Sequence, residues 1–133
     1  MSLVLDTDTC SAYLKGDGRV FNRFIQHSGG LYVSAITIGE LYSWVNRART
    51  APRHAAAIVD MLSGVTTLPV DHDIALRFGQ ERANLLDQGI SVSPTDLFIA
   101  ATALHHDFSL VSHNSRDFRK VPGLRLKDWI AKG

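Results

Sequence analysis

An α/β fold, with a parallel sheet covered by helices on both faces, is what this 133-residue sequence predicts, and three observations predict it. Short apolar runs alternate with longer stretches of helical periodicity along the whole chain, the pattern of consecutive βα units. The stretch Leu97–Leu104 is apolar almost all round, as expected of a helix packed between a sheet and other helices. Apolar residues make up 45% and charged residues 20%, ordinary globular values, and no repeat, low-complexity tract or linker interrupts them. The chain is therefore read as one domain, residues 1–133, long enough to bury a core.

Taken in order, the first strand candidate is Leu3–Leu5, a short run that ends in Asp6. Phe21, Phe24 and Ile25 then share a helical stripe. Leu31–Ile36 is the second strand candidate, and Ile38, Leu41, Tyr42 and Val45 carry the stripe of the helix that follows. Ala55, Ile58, Val59 and Leu62 repeat that spacing before a third strand candidate at Thr67–Val70. Residues 71–88 read as one long helix closed by Gly89. Leu97, Ala100, Ala101 and Leu104 mark the buried helix, and Ser109–Ser112 and Leu124–Leu126 complete the strand candidates.

Composition narrows the class. The N-terminus, Met-Ser-Leu-Val-Leu-Asp, has neither a basic segment nor a long apolar run, so neither a signal peptide nor a membrane span is expected. Cys10 stands alone, which excludes an internal disulfide and fits a reducing cytoplasm; its packing role is that of a small buried hydrophobe. Net charge is only +1, but it is unevenly distributed. Residues 46–54 hold Arg47, Arg49 and Arg53 with no acid, and residues 115–133 hold six basic residues against two acids. Between them, residues 55–107 hold Arg77 and Arg82 against seven acids. Such separation suits a phosphate backbone, and it equally describes solvated surface.

In parallel sheets ligands bind in the crevice at the strand C-terminal ends. Asp6 follows the first strand directly, Glu40 lies in the first turn of the helix after the second, and Asp117 comes shortly after the fourth. Asp96, in the first turn of the buried helix, would have to reach the same edge from a helix N-terminus, which the topology permits without requiring it. Hard cations such as Mg²⁺ or Mn²⁺ prefer oxygen ligands, and a bound ion acidifies water and neutralises charge on a phosphate under attack. Without a cation, crowded carboxylates repel and one takes up a proton. Taken singly, two of these acids have a plain structural explanation. Thr37-Ile38-Gly39-Glu40 reads as a capping box, and Ser93-Pro94-Thr95-Asp96 nearly so, with Pro94 at the favoured first helical position.

The remaining polar residues take supporting parts. Asp8 is placed to cap the first short helix or to support a metal from behind the ligands, and Ser112 and Asn114 to orient a carboxylate or a water. Arg116 and Arg119 are candidates for contact with backbone phosphates, and Trp44 and Arg47 form a rim beside Glu40. His105, His106 and His113 lack zinc-ligand spacing and read as surface or helix-end residues.

Leu-Asp6-Thr-Asp8, Gly39-Glu40-Leu, Asp96-Leu-Phe-Ile-Ala-Ala and Ser112-His-Asn114-Ser-Arg-Asp117-Phe together resemble the four acidic motifs of PIN-domain ribonucleases. Length and motif spacing are most similar to the VapC-type toxins of prokaryotic toxin–antitoxin pairs, from Asp6 to Phe118. Asp8 stands where Asn is common in that family and Ser112 where Thr is common, and neither change removes one of the four acids. The resemblance implies a three-layer α/β/α fold with a five-stranded parallel sheet. It also implies Mg²⁺- or Mn²⁺-dependent cleavage of RNA to leave a 5′-phosphate, a homodimer, and silencing by a small antitoxin. By the same resemblance Asp6, Glu40, Asp96 and Asp117 are the catalytic acids, with Asp6, Asp96 and Asp117 on the metal.

Two other readings are carried forward. Leu3-Val-Leu-Asp6-Thr-Asp8 also resembles the first motif of haloacid-dehalogenase-type phosphatases, with Asp6 as nucleophile, although Cys10 stands where that pattern has Thr. The non-enzymatic alternative is a silent RNA- or partner-binding domain whose acids serve only as caps.

Overall fold

The computed structural model describes residues 1–47 and 52–131, with the backbone alone at Ser115; Arg49 and Lys132 lie outside the described residues. Five strands form one sheet: β1 (Leu3–Leu5), β2 (Leu31–Ser34), β3 (Thr66–Leu68), β4 (Ser109–Val111) and β5 (Leu126–Lys127). Around them lie α1 (Thr7–Leu14), α2 (Gly18–Gln26), α3 (Ala35–Arg47), α4 (Pro52–Leu62), α5 (His72–Asp87), α6 (Pro94–His106) and α7 (Ser115–Phe118). The strand order is β3-β2-β1-β4-β5 and every pairing is parallel, with Val4 opposite Tyr32 on one side and Leu110 on the other.

Alternation along the strands sends side chains to two separate cores. Leu3, Leu5, Val33 and Val111 pack with Val20, Phe24, Leu41, Ile58 and Met61 of α2, α3 and α4. Val4 and Leu110 point the other way, into Leu85 of α5, Leu97, Ala100 and Ala103 of α6, and Phe118 of α7. The three-layer α/β/α architecture follows from that partition. Helix α6 buries Leu97 and Ile99–Ala103 without interruption, as its composition predicts, and Cys10 is fully buried.

Several boundaries differ from the sequence reading, each for a local reason. Strand β2 stops at Ser34 rather than Ile36, because the Ser34 hydroxyl accepts the Ile36 N–H at 3.1 Å and α3 begins at Ala35. Thr37 is consequently buried inside α3 and caps nothing, and Glu40 sits in its second turn, so the capping box expected there does not exist. Strand β3 spans Thr66–Leu68, since Pro69 has no N–H to continue the ladder. Strand β4 ends one residue early, at Val111, and β5 is displaced to Leu126–Lys127. On α2 and α4 the apolar stripe is wider than the core it meets: Phe24 and Ile58 are buried, whereas Phe21, Ile25 and Val59 are exposed. Helix α5 matches its predicted span, with Asp71 as N-cap and Gly89 in the left-handed region at φ 74°.

Candidate active site

The chain reverses direction across the sheet between β1 and β4, and a crevice forms at such a switch point beyond the strand C-termini. Asp6 leaves β1 exactly at that point. Its N–H is tied to the Val111 carbonyl of β4 at 3.1 Å, and its carboxylate caps α1 by accepting the Thr9 N–H at 2.8 Å. The cap is thus Asp6 and not Asp8, which lies exposed in the first turn of α1. Only 3% of Asp6 is exposed. Burial pushes its carboxyl up to about 6, the charge of Asp8 adds to the shift, and Ser112 and Thr9 offset part of it. Ser112, the first residue beyond β4, is buried beside Asp6, and its Oγ has no partner at full hydrogen-bonding geometry.

Glu40 comes from α3, which packs in the same layer as α1. The Thr7 hydroxyl donates to Glu40 Oε1 at 2.6 Å and lies 3.2 Å from the buried Thr37 hydroxyl, tying α1 to α3. Asp96 stands at the head of α6, where Ser93 Oγ accepts its N–H at 3.3 Å and Pro94 occupies the first turn, as the sequence predicts. Its carboxyl is held above the usual range, first by burial and then by the charges of Glu40, Asp117 and Asp8, while Ser93 lowers it. Three acids from three other elements therefore act on Asp96 across the crevice. Asp117, in α7, is ion-paired to Lys120 Nζ at 3.1 Å.

Among the described residues, no three of these side chains are already drawn in to metal-ligand spacing. Glu40, Asp117 and Asp8 lie near enough for their charges to act on Asp96, and Asp8 near enough to act on Asp6. Asn114 is half-buried and lines a groove with Asp8. Arg116 and Arg119 are exposed, and among the described residues neither has a carboxylate within ion-pair distance. Trp44 packs its ring on His54 of α4 at 5.2 Å, and Arg47 is exposed at the end of α3. A larger cavity, about 690 Å³, lies at the opposite edge of the sheet between Ser2, Phe108 and Leu126 and gathers no acid cluster.

Sequence reading missed Thr7, Thr37 and Lys120, because nothing in their spacing marks a hydroxyl or an ammonium that reaches a carboxylate on another element. The only available signal was position: Thr7 directly follows Asp6, and Lys120 is one helical turn beyond Asp117.

A match to the PIN domain family model covers residues 3–124. This chain belongs to the PIN domain family, in its VapC branch. It is 37% identical over 111 residues to Ribonuclease VapC2 of Haemophilus influenzae, 84% of each chain being covered. To the tRNA(fMet)-specific endonuclease VapC of Salmonella typhimurium it is 31% identical, over 97% of this chain and 98% of that one. The fold agrees with the crystal structure of DNA-bound VapBC from Salmonella typhimurium at a TM-score of 0.92 and 31% identity, covering 97% of this chain and 98% of that one. The resemblance read from the four motifs is borne out, and the family match sets aside the phosphatase alternative. No helix among the described residues is long and apolar enough to cross a membrane.

Proposed function

We propose that this chain is a Mg²⁺- or Mn²⁺-dependent endoribonuclease, the toxin of a toxin–antitoxin pair, cutting RNA at the crevice between β1 and β4. The observation that carries the proposal is the match to the PIN domain family over residues 3–124, and Glu40, Asp117 and Asp8 of three different elements lie near enough to the half-buried Asp96 for their charges to act on it. A helix cap accounts for Asp6 alone: Ser93 rather than Asp96 caps α6, and Glu40 lies in the second turn of α3.

The residues fit a hard divalent ion. Asp6, Glu40, Asp96 and Asp117 are all carboxylates, the ligand such ions prefer, and the buried Ser112 hydroxyl adds a polar atom beside Asp6. Asp6 and Asp96, both raised by burial and by like charge, are the groups that a cation would most relieve. On this reading Asp6, Asp96 and Asp117 hold the ion, directly or through its waters. When bound, it supplies an acidified water and neutralises charge on the phosphoryl oxygens.

The protein's own part is positioning and proton handling. Glu40 is held by Thr7 through Oε1, so its second oxygen is free to accept the proton of the attacking water. The water oxygen bonds to phosphorus, the bond to the 3′ oxygen breaks, and that oxygen leaves with a proton, giving 5′-phosphate and 3′-hydroxyl ends. Lys120 holds Asp117 in place at the rim, and Arg116 and Arg119 offer positive charge to the incoming backbone. Solved relatives described as VapBC complexes and as a toxin–antitoxin complex support a small antitoxin as partner, and a homodimer is part of the same proposal. A cytoplasmic location accords with an RNA substrate and a lone buried thiol.

The deciding test is incubation of purified protein with total RNA, with and without Mn²⁺. Metal-dependent cleavage is expected from the wild type and none from Asp6→Asn or Asp96→Asn. Undiminished cleavage by either folded variant would falsify the assignment of the acids.

A further inference from the structure

Beside the acid crevice runs a groove of about 570 Å³, walled by Asp8, Ser11 and Lys15 on one stripe of α1, by His113 and Asn114 after β4, and by Ile130. Its volume falls in the range of small-ligand sites. Asp8 is the shared wall, since its charge acts on both Asp6 and Asp96 while its side chain lines the groove. Asp8 thus joins the groove to the acids.

The His113 ring is exposed, with 56% of its side chain accessible, yet it is fixed in place. Its Nδ1 lies 3.0 and 3.2 Å from the two carboxylate oxygens of Asp128. Asp128 is itself anchored by the N–H groups of Ile130 at 2.8 Å and Ala131 at 3.0 Å. Burial raises the Asp128 carboxyl, but those N–H groups and His113 outweigh it and keep the group ionised well into acid. An aromatic ring that is open to solvent and already immobilised has lost its rotamer freedom in advance, which is what a stacking platform for an unpaired base requires. At the far end of the groove Lys15 follows α1 as its C-cap, and among the described residues no carboxylate lies within ion-pair distance of it. Along the stripe, the acidic end at Asp8 faces the cleavage crevice and the basic end at Lys15 faces away from it.

We propose that this groove is a nucleotide subsite for single-stranded RNA flanking the cleaved bond, with a base stacked on His113 and a phosphate held by Lys15. The inference rests on the ribonuclease reading and names a determinant of substrate binding within it. His113 and Lys15 bind substrate here, away from the acids, so their loss weakens capture rather than chemistry.

The test uses the full chain carrying Asp6→Asn, so that RNA is bound without being cut, and a short fluorescein-labelled single-stranded RNA of mixed sequence read by anisotropy. His113→Ala is expected to raise Kd about tenfold, the scale of one lost stacking contact. Lys15→Ala is expected to raise it several-fold, His113→Phe to retain most of the affinity, and Arg125→Ala, at the opposite edge, to change nothing. With Asp6 restored, His113→Ala is expected to raise KM while leaving kcat within about twofold. Cleavage by the wild type together with unchanged binding by both alanine variants overturns the subsite alone. Absence of both cleavage and RNA binding in every form overturns the subsite and the ribonuclease reading together.

Discussion

Asp6 holds two positions at once, a helix cap and a charge in a nearly dry crevice, and the two can be separated by substitution. Asparagine keeps the side-chain oxygen that accepts the Thr9 N–H, so Asp6→Asn preserves the cap of α1 while deleting the charge. The folded-state value, about 6 against an ordinary 3.8, is a raised one. The protonated form is therefore the one the fold prefers, its contribution is complete below pH 4, and it is lost as pH rises through 6. The shift corresponds to roughly 3 kcal/mol at most for this buried group. In chelator, Asp6→Asn is expected to melt several degrees above wild type at pH 7.5, with the gap closing toward pH 4; parallel melting curves over that range would contradict the burial of its charge. Adding Mn²⁺ at pH 7.5 is expected to raise the melting temperature of the wild type and leave Asp6→Asn nearly unmoved, because only the charged crevice gains from a bound cation. Melting curves with and without the ion measure this directly. Asp6 was legible in the sequence because a strand that ends in an acid is a local pattern, and Ser112 because it follows a strand candidate; that the two lie side by side depends on the β1–β4 pairing.

Between elements, the site depends on hydrogen bonds that cross from one segment to another. Thr7 on α1 holds Glu40 on α3, a link between residues 33 apart in sequence. Thr7→Val keeps the size of the side chain and removes its donor. The expected result is a kcat reduced about tenfold with stability lowered by about 1 kcal/mol, the ordinary worth of one such bond. Unchanged kcat in a folded Thr7→Val protein would show that Glu40 needs no positioning from α1. Gly30 sets a different constraint, on the entry to β2. A Cβ there would run into the Met1 carbonyl, which is backbone and cannot turn aside. Gly30→Ala is therefore expected to lower the unfolding free energy by about 1–3 kcal/mol, read by urea titration. The elements themselves were largely legible, since α5 and α6 carry long periodic stretches with clear caps at Asp71 and Ser93. Their edges were less so. The apparent capping box at Thr37 failed because Ser34 starts α3 three residues earlier, and two rival caps close together cannot be ranked from sequence. The exposed Phe21 and Ile25 show the same limit, since periodicity gives the direction of a face and not the width of the core that meets it.

Across the whole molecule, one topological choice makes the site. Strand order β3-β2-β1-β4-β5 places the reversal between β1 and β4 and covers the two faces with different helices, so α3 brings Glu40 from one layer and α6 brings Asp96 from the other. That convergence was inferred from the general behaviour of parallel sheets rather than from any motif, and charge distribution invites a similar step. The C-terminal basic run is not a uniform surface: Arg125 is taken up by Asp107 at 3.0 Å and Lys120 by Asp117 at 3.1 Å. Arg116 and Arg119, exposed beside the crevice, are the basic residues of that run best placed to meet RNA phosphates. Each phosphate they neutralise releases condensed counterions, and on single strands the slope of log K against log salt changes by about 0.7 per contact. In the Asp6→Asn protein, Arg116→Ala with Arg119→Ala is thus expected to flatten that slope by about 1.4 while weakening binding to all sequences alike. The opposite substitution, at His113, is expected to weaken binding at every salt concentration with little change in slope, because stacking releases few ions. Anisotropy titrations at three salt concentrations distinguish the two. A slope unaltered by the double arginine variant would mean that these side chains stay in water when RNA binds, and that the substrate approaches from the α3 side of the crevice instead.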